Sequence, residues 1–178
     1  EKDWDIYKKY TNPYEYVHGL VPNKKKSISK YKPLSRSYFK MIEICHEFIP
    51  EIINDTEKTI KTLHLAEGPG GFIEGIVNIK RNKKDQIYGM TLISNDNNIP
   101  SWKKSNNYIN SNKNIKVIVG ESKNGDLFLK KNLLYINNNF RESIDYITAD
   151  GGFDFSVDFN KQEDLSLKLI VSQIFYAL

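Results

Sequence analysis

The chain has 178 residues, 39% of them hydrophobic and 27% charged, with a formal net charge of +4. That is enough for one soluble globular domain with a real core, and no apolar run approaches the roughly 20 residues a membrane-spanning helix needs. The acidic, aromatic start lacks the form of a signal peptide, and a single cysteine, Cys45, excludes an internal disulfide and fits a reducing, intracellular setting.

Residues 1–35 contain Pro13, Pro22 and Pro33 without clear periodicity and are expected to form an irregular arm. No acidic residue occurs between Glu15 and Glu43, whereas Lys24, Lys25, Lys26, Lys30, Lys32, Arg36 and Lys40 do, with Tyr31, Tyr38 and Phe39 among them. Basic groups beside stacking rings suit a phosphate backbone with exposed bases; a solvated lysine loop is the plainer alternative. From Ser37 to about Ile53, apolar spacing predicts an amphipathic helix that Pro50 ends or kinks. Cys45 falls in that apolar pattern and is expected to be buried filler.

Further on, strands are predicted at Thr62–Ala66, Gln86–Ile93, Ile115–Val119 and Ile144–Ala149. Helices are predicted at Gly71–Arg81, Leu127–Asn139 and Lys161–Leu178, the last with an apolar stripe of Leu165, Leu169, Ile170, Ile174 and Leu178. The Asn-rich span Ser94–Asn114 is expected to be a loop with a helical turn around Trp102. Strands alternating with helices predict an α/β fold, with a mostly parallel sheet and helices on both faces.

Two strand tips carry the chemistry. Leu63-His64-Leu65-Ala66 runs into Glu67-Gly68-Pro69-Gly70-Gly71-Phe72, a glycine-rich strand-to-helix turn that lets backbone approach a ligand and aims free helix N–H groups at it. It is neither a P-loop nor the Gly-x-Gly-x-x-Gly dinucleotide fingerprint. An adenosine cofactor lying across the tips needs an apolar slot and polar edges; Leu92 suits the first and Asp126 the second. A helix N-cap before Leu127 is the competing role for Asp126.

Tyr146-Ile147-Thr148-Ala149 delivers Asp150 to the second tip, followed by Gly151-Gly152. Aspartate before two glycines also makes plain turns. A lysine such as Lys40 near that carboxylate would give an acid–base pair, although a lysine on a helix face is more often simply exposed. His18 and His46 are expected to be ordinary loop and helix-face residues, Asp154 and Asp158 solvated loop carboxylates, and Trp102 a packing residue. Glu163 is expected to brace the start of the last helix. No His/Cys cluster suggests a metal.

In order along the chain stand Asn12-Pro13-Tyr14-Glu15, Ser35-Arg36-Ser37-Tyr38-Phe39-Lys40-Met41, Glu67-Gly68-Pro69-Gly70-Gly71-Phe72, Gly89-Met90-Thr91-Leu92 and Ala149-Asp150-Gly151-Gly152-Phe153. They are followed by Asn160-x-Gln162-Glu163-x-x-Ser166 and a helix with Gln173 and Ala177-Leu178. With these pieces the chain resembles the FtsJ-like RNA 2′-O-ribose methyltransferases, and most the branch that acts on mRNA caps, including members from large DNA viruses. The resemblance implies a Rossmann-like class I methyltransferase fold, S-adenosylmethionine as methyl donor and an RNA ribose 2′-hydroxyl as acceptor. It further implies a setting among capping or transcription machinery in the nucleus, the cytoplasm or a viral factory or virion.

By the same resemblance, Lys40 and Asp150 match the first lysine and the aspartate of the family's Lys–Asp–Lys–Glu tetrad. Glu67 to Phe72 would hold the methionine part of the donor, with Asp150 beside it, and Lys24, Lys25, Lys26, Lys30, Lys32 and Arg36 would meet RNA. Residues 1–35 then serve the site as an arm, and 36–178 form the front part of the domain. The family's second lysine and its glutamate lie on later strands, so the chain by itself is expected to be weakly active or inactive. His64 stands where the family's first strand usually ends in an acid, and the second strand ends without a ribose-gripping carboxylate. The rival expectations are ribosomal or transfer RNA as substrate, and a non-catalytic RNA-binding scaffold of the same fold. A NAD-dependent dehydrogenase is disfavoured by the glycine spacing.

Overall fold

The computed structural model describes residues 7, 16–17, 19–20, 26–96, 99–140, 143–152 and 162–178, with the backbone alone for 162–165. Most of the expected arm, with Lys24 and Lys25, and residues His18, Asp154 and Asp158 lie outside the described residues.

The first helix, α1 (Ser37–Glu47), is shorter than its apolar pattern. Pro50 lacks the N–H a helix interior needs, so the pattern resumes as a separate turn, α2 (Glu51–Asn54). Four strands follow, β1 (Lys61–Leu65), β2 (Gln86–Met90), β3 (Ile115–Ile118) and β4 (Tyr146–Ala149), interleaved with helices. These are α3 (Gly71–Lys80), a 3₁₀ turn at Trp102–Lys104, α4 (Asn106–Ser111), α5 (Lys130–Phe140) and α6 (Gln162–Ala177). The helical turn at Trp102 appears where expected, but α4 was not foreseen. Its sequence Asn-Asn-Tyr-Ile-Asn-Ser has weak helix propensity, and packing of Tyr108 and Ile109 onto the core holds it.

All strand pairs are parallel, in the order β3-β2-β1-β4. Side chains alternate across the sheet, and both faces of β1 are covered, which is why every residue from Thr62 to Leu65 is buried. On one face Met41, Cys45, Ile52, Phe72, Ile73, Ile76 and Ile87 join α1, α2 and α3 to the sheet. On the other, Leu63, Leu65, Met90, Ile136, Leu169 and Tyr176 join α5 and α6 to it. Cys45 is fully buried, and burial pushes its thiol up to about 11, as an inert filler requires.

β1 lies between β2 and β4, so the chain leaves it in one direction and returns on its other side. Such a reversal of strand order opens a crevice at the carboxyl ends of the strands. The turns after β1 and β4 flank it. No helix among the described residues is long and apolar enough to cross a membrane.

Candidate functional site

Leu65 and Ala149 are register partners, so the turns leaving β1 and β4 start side by side. After β1, Ala66 takes a left-handed conformation (φ 52°) and Gly70 another (φ 110°), and α3 begins at Gly71. The Glu67 N–H donates to the Met90 carbonyl at 3.1 Å, and Gly70 N–H to the Glu67 carbonyl at 2.6 Å, tying the loop to β2 and to itself.

The Glu67 carboxyl turns inward. Its Oε1 accepts from the Ile73 N–H at 3.0 Å in the first turn of α3, so its part in the site is to set the shape of the glycine loop. Burial pushes this carboxyl up to about 8, and the nearby Asp150 charge adds to the rise. Gly71 shows how closely the next layer approaches. A β-carbon there would collide with the hydroxyls of both Ser35 and Ser37, so the start of α1 sits directly on the start of α3.

That contact brings Lys40, one turn into α1, to the tip of β4. Its ammonium donates to both carboxylate oxygens of Asp150, at 2.8 and 2.9 Å, joining residues 110 positions apart. The two side chains are 53% and 34% exposed, open to an incoming partner. A pair so placed contributes only about 0–1 kcal/mol to stability. An ammonium has three donors and the carboxylate occupies two, which leaves one N–H for an acceptor oxygen at the mouth of the crevice.

His64 is one of the residues that hold β4 in place. Fully enclosed, it bonds through Nε2 with the Thr62 hydroxyl at 2.9 Å and through Nδ1 with the Thr148 hydroxyl at 2.6 Å, two positions before Asp150. Burial drives its pKa down to about 3, so it is a neutral core group.

The turns after β2 and β3 complete the rim. Ile93 N–H donates to the Asn124 carbonyl at 2.7 Å, which draws residues 91–93 out of β2 and explains why that strand stops at Met90. A β-carbon on Gly125 would collide with the Thr91 carbonyl oxygen, so these two turns are in close contact, with half-buried Leu92 at their seam. Asp126 Oδ1 accepts from Phe128 N–H at 2.8 Å, an Asx turn that delays the helix to Lys130 and leaves its second oxygen for other use.

Three residues that the sequence did not flag organise this rim. Asn132, fully buried, accepts from Ser122 N–H at 2.8 Å and donates to the Ser122 hydroxyl at 2.6 Å and the Asp126 carbonyl at 2.8 Å. Nothing in Lys-Lys-Asn-Leu-Leu marks such a role. Glu74, a carboxylate in the apolar first half of α3, did carry a signal. It accepts from Tyr31 Oη at 2.7 Å and from Leu34 N–H at 2.8 Å, pinning residues 31–34 onto α3. Lys104 donates to the Leu34 carbonyl from the other side. This segment borders a cavity of about 470 Å³ whose lining includes Lys30, Lys32, Arg36 and Lys104 and no carboxylate. Lys26 is exposed nearby in sequence but does not line this cavity.

The crevice thus has a glycine loop, a seam formed by the turns after β2 and β3, and a Lys–Asp pair, with a cationic cleft formed by the segment leading into α1. Among the described residues no group of three or more His, Cys, Asp or Glu side chains could hold a metal ion. Residues 33–178 match the model of the FtsJ-like methyltransferase family. The chain is also 31% identical over 111 residues, 62% of its length, to a cap-specific mRNA (nucleoside-2′-O-)-methyltransferase of Autographa californica nuclear polyhedrosis virus. The matched stretch spans 40% of that relative. With the family model covering the strands, the glycine loop and both members of the Lys–Asp pair, the chain belongs to the FtsJ-like methyltransferase family.

Proposed function

We propose that this chain carries the donor-binding and acceptor-binding centre of an S-adenosylmethionine-dependent RNA 2′-O-methyltransferase, acting on the cap-proximal ribose of mRNA. The observation that carries this is the two-pronged Lys40–Asp150 contact at the strand-order reversal, beside the glycine loop. The FtsJ-like family match supports methyl transfer, and the viral relative's name supports the cap as the target.

The residues present fit the donor. The backbone of Glu67 to Phe72 would hold its methionine end, Leu92 and Asp126 would meet the adenine, and the Asp150 carboxylate would supply negative charge for its cationic centre. When bound, the donor supplies an electrophilic methyl on a sulfonium. The protein aligns an acceptor oxygen with it, which removes the orientational part of the barrier.

Lys40 does this through its remaining N–H, holding the ribose 2′-oxygen and stabilising negative charge as the hydroxyl proton leaves. Asp150 fixes the ammonium in place. In the transfer the ribose oxygen would bond the methyl carbon, the broken carbon–sulfur bond would leave its electron pair on a neutral thioether, and the hydroxyl proton would pass to solvent beside this exposed pair. Lys30, Lys32, Arg36 and Lys104 line the cleft that would take the RNA phosphates. Lys24, Lys25 and Lys26 extend the same basic stretch of sequence.

The test is transfer of labelled methyl from S-adenosylmethionine by the full-length protein to matched RNAs with and without a cap. Label should appear on a cap-proximal ribose. Lys40→Ala and Asp150→Ala should each lower the rate by about 10²-fold or more, while the melting temperature stays within a few degrees because so exposed a pair adds little stability. Transfer that is indifferent to the cap, or that survives both substitutions, overturns the proposal.

A further inference from the structure

The turn that carries Asp150 has two sides. Successive residues point to opposite faces of a strand, and the alternation continues through the tip of β4. Asp150 faces α1 and meets Lys40. Gly151 faces α6. A β-carbon on Gly151 would collide with Nε2 of Gln173 and fall 2.8 Å from the Ala66 β-carbon and 3.0 Å from a Leu169 methyl. The turn is therefore seated between the exit of β1 and the last helix, with the Gln173 amide against it.

Gln173 is only 9% exposed, and its Nε2 is shut off from solvent without a hydrogen-bond partner among the described residues. Burying an amide without its bond is costly, about 1–3 kcal/mol, and a group left so in a native protein calls for an explanation. Lys40 occupies the front of the turn and Gln173 stands at its back. Glycines 151 and 152 have no side chains, so the acceptors they can offer such a donor are peptide carbonyls. A donor held in reserve behind a reactive carboxylate contributes most if its bond forms only when substrate is engaged.

We infer that Gln173 is a positioning residue for methyl transfer, whose side-chain N–H takes up a backbone carbonyl of the Asp150–Gly152 turn as the acceptor binds and so sets Asp150, and through it Lys40, for reaction. This rests on the function proposed above. It also gives Gly151 a reason beyond turn-making, since any side chain there would displace the amide.

Gln173→Met, in the full-length protein, keeps the length and bulk of the side chain and removes the donor. Because Nε2 has no hydrogen-bond partner to lose among the described residues, the variant should melt at the wild-type temperature or above it. Its kcat should fall about tenfold, with KM for both substrates within twofold. A residue that only supports the fold would show activity falling together with stability. Gln173→His, which restores an N–H, should recover part of the rate.

An independent readout is amide hydrogen exchange at residues 150–152 with S-adenosylhomocysteine and capped RNA bound. The wild type should gain protection on binding, and Gln173→Met should not. Unchanged kcat, or equal protection in both proteins, overturns the inference while leaving the methyltransferase function intact. Wild-type protein that neither binds these ligands nor transfers methyl overturns both.

Discussion

Two buried titrating groups at the crevice pull the pH dependence of stability in opposite directions. Burial raises Glu67 from 4.5 to about 8, so between those values the folded protein binds a proton that the unfolded chain releases. Stability from Glu67 is therefore complete below about 4.5 and is lost as pH rises toward 8. Burial lowers His64 from 6.5 to about 3, so the unfolded chain binds the extra proton in that window, and stability is lost as pH falls through it. The windows overlap between 4.5 and 6.5, where the two slopes cancel. Denaturant unfolding should thus show a plateau there and a decline from pH 6.5 to 8. Glu67→Gln keeps the acceptor for Ile73 N–H and should abolish that upper decline. A wild-type profile that rises across the upper window, or a Glu67→Gln protein that declines as steeply, would show that Glu67 is ionised in the folded protein.

Among the elements, the turn between β3 and α5 depends most on a single side chain. Asn132 uses both ends of its amide to close residues 120–126 on themselves. Gly120 adopts a left-handed φ of 68° directly against it. Replacement by alanine strands the Ser122 N–H and the Asp126 carbonyl and should cost about 2–3 kcal/mol, seen as a lower denaturation midpoint. Because Asp126 and Gly125 ride on this turn, binding of S-adenosylmethionine should weaken as well. Wild-type affinity in the alanine variant would detach the turn from the donor site.

The same element shows what sequence can and cannot reveal. Short apolar runs leading into glycine-bearing turns announced β1, β3 and β4, and the two tips that matter followed from Glu67-Gly68-Pro69-Gly70-Gly71 and Asp150-Gly151-Gly152. Hydrophobic periodicity is blind to polar partners, so the anchoring role of Asn132 was not legible, and that of Glu74 only as a charge out of place in α3. Nor was the burial of Lys80, whose ammonium donates to the carbonyls of Asp55 and Lys58, both at 2.6 Å. Boundaries moved for local reasons: the Asx turn of Asp126 postponed α5, and the bond from Ile93 to Asn124 shortened β2. The adjacency of Lys40 and Asp150 followed from resemblance and not from spacing, because the contact depends on how α1 lies across α3.

For the molecule as a whole, what bears on function is that one group of cations adjoins the segment leading into the site. The modest net charge of +4 conceals a cleft lined by Lys30, Lys32, Arg36 and Lys104. Binding of a single-stranded RNA should then fall steeply with salt, and each phosphate contact removed should flatten the log–log slope by about 0.7. Lys30→Gln, Lys32→Gln and Lys104→Gln together should reduce the slope by about 2 if each residue meets one phosphate. An unchanged slope in the triple variant would move the RNA elsewhere on the surface.

The span of the Lys40–Asp150 contact also governs when the site comes into being. Bringing together two points 110 residues apart costs roughly 4 kcal/mol of chain entropy, whereas an exposed ion pair returns at most about 1. The pair therefore cannot gather its own ends; it forms because β4 has already docked along β1. A growing chain that has reached residue 140 holds the glycine loop and the lysine but lacks the carboxylate. The Lys–Asp pair should form in one step late in folding, and in the full-length protein any mutation that delays the docking of β4 should appear first as a lag in activity.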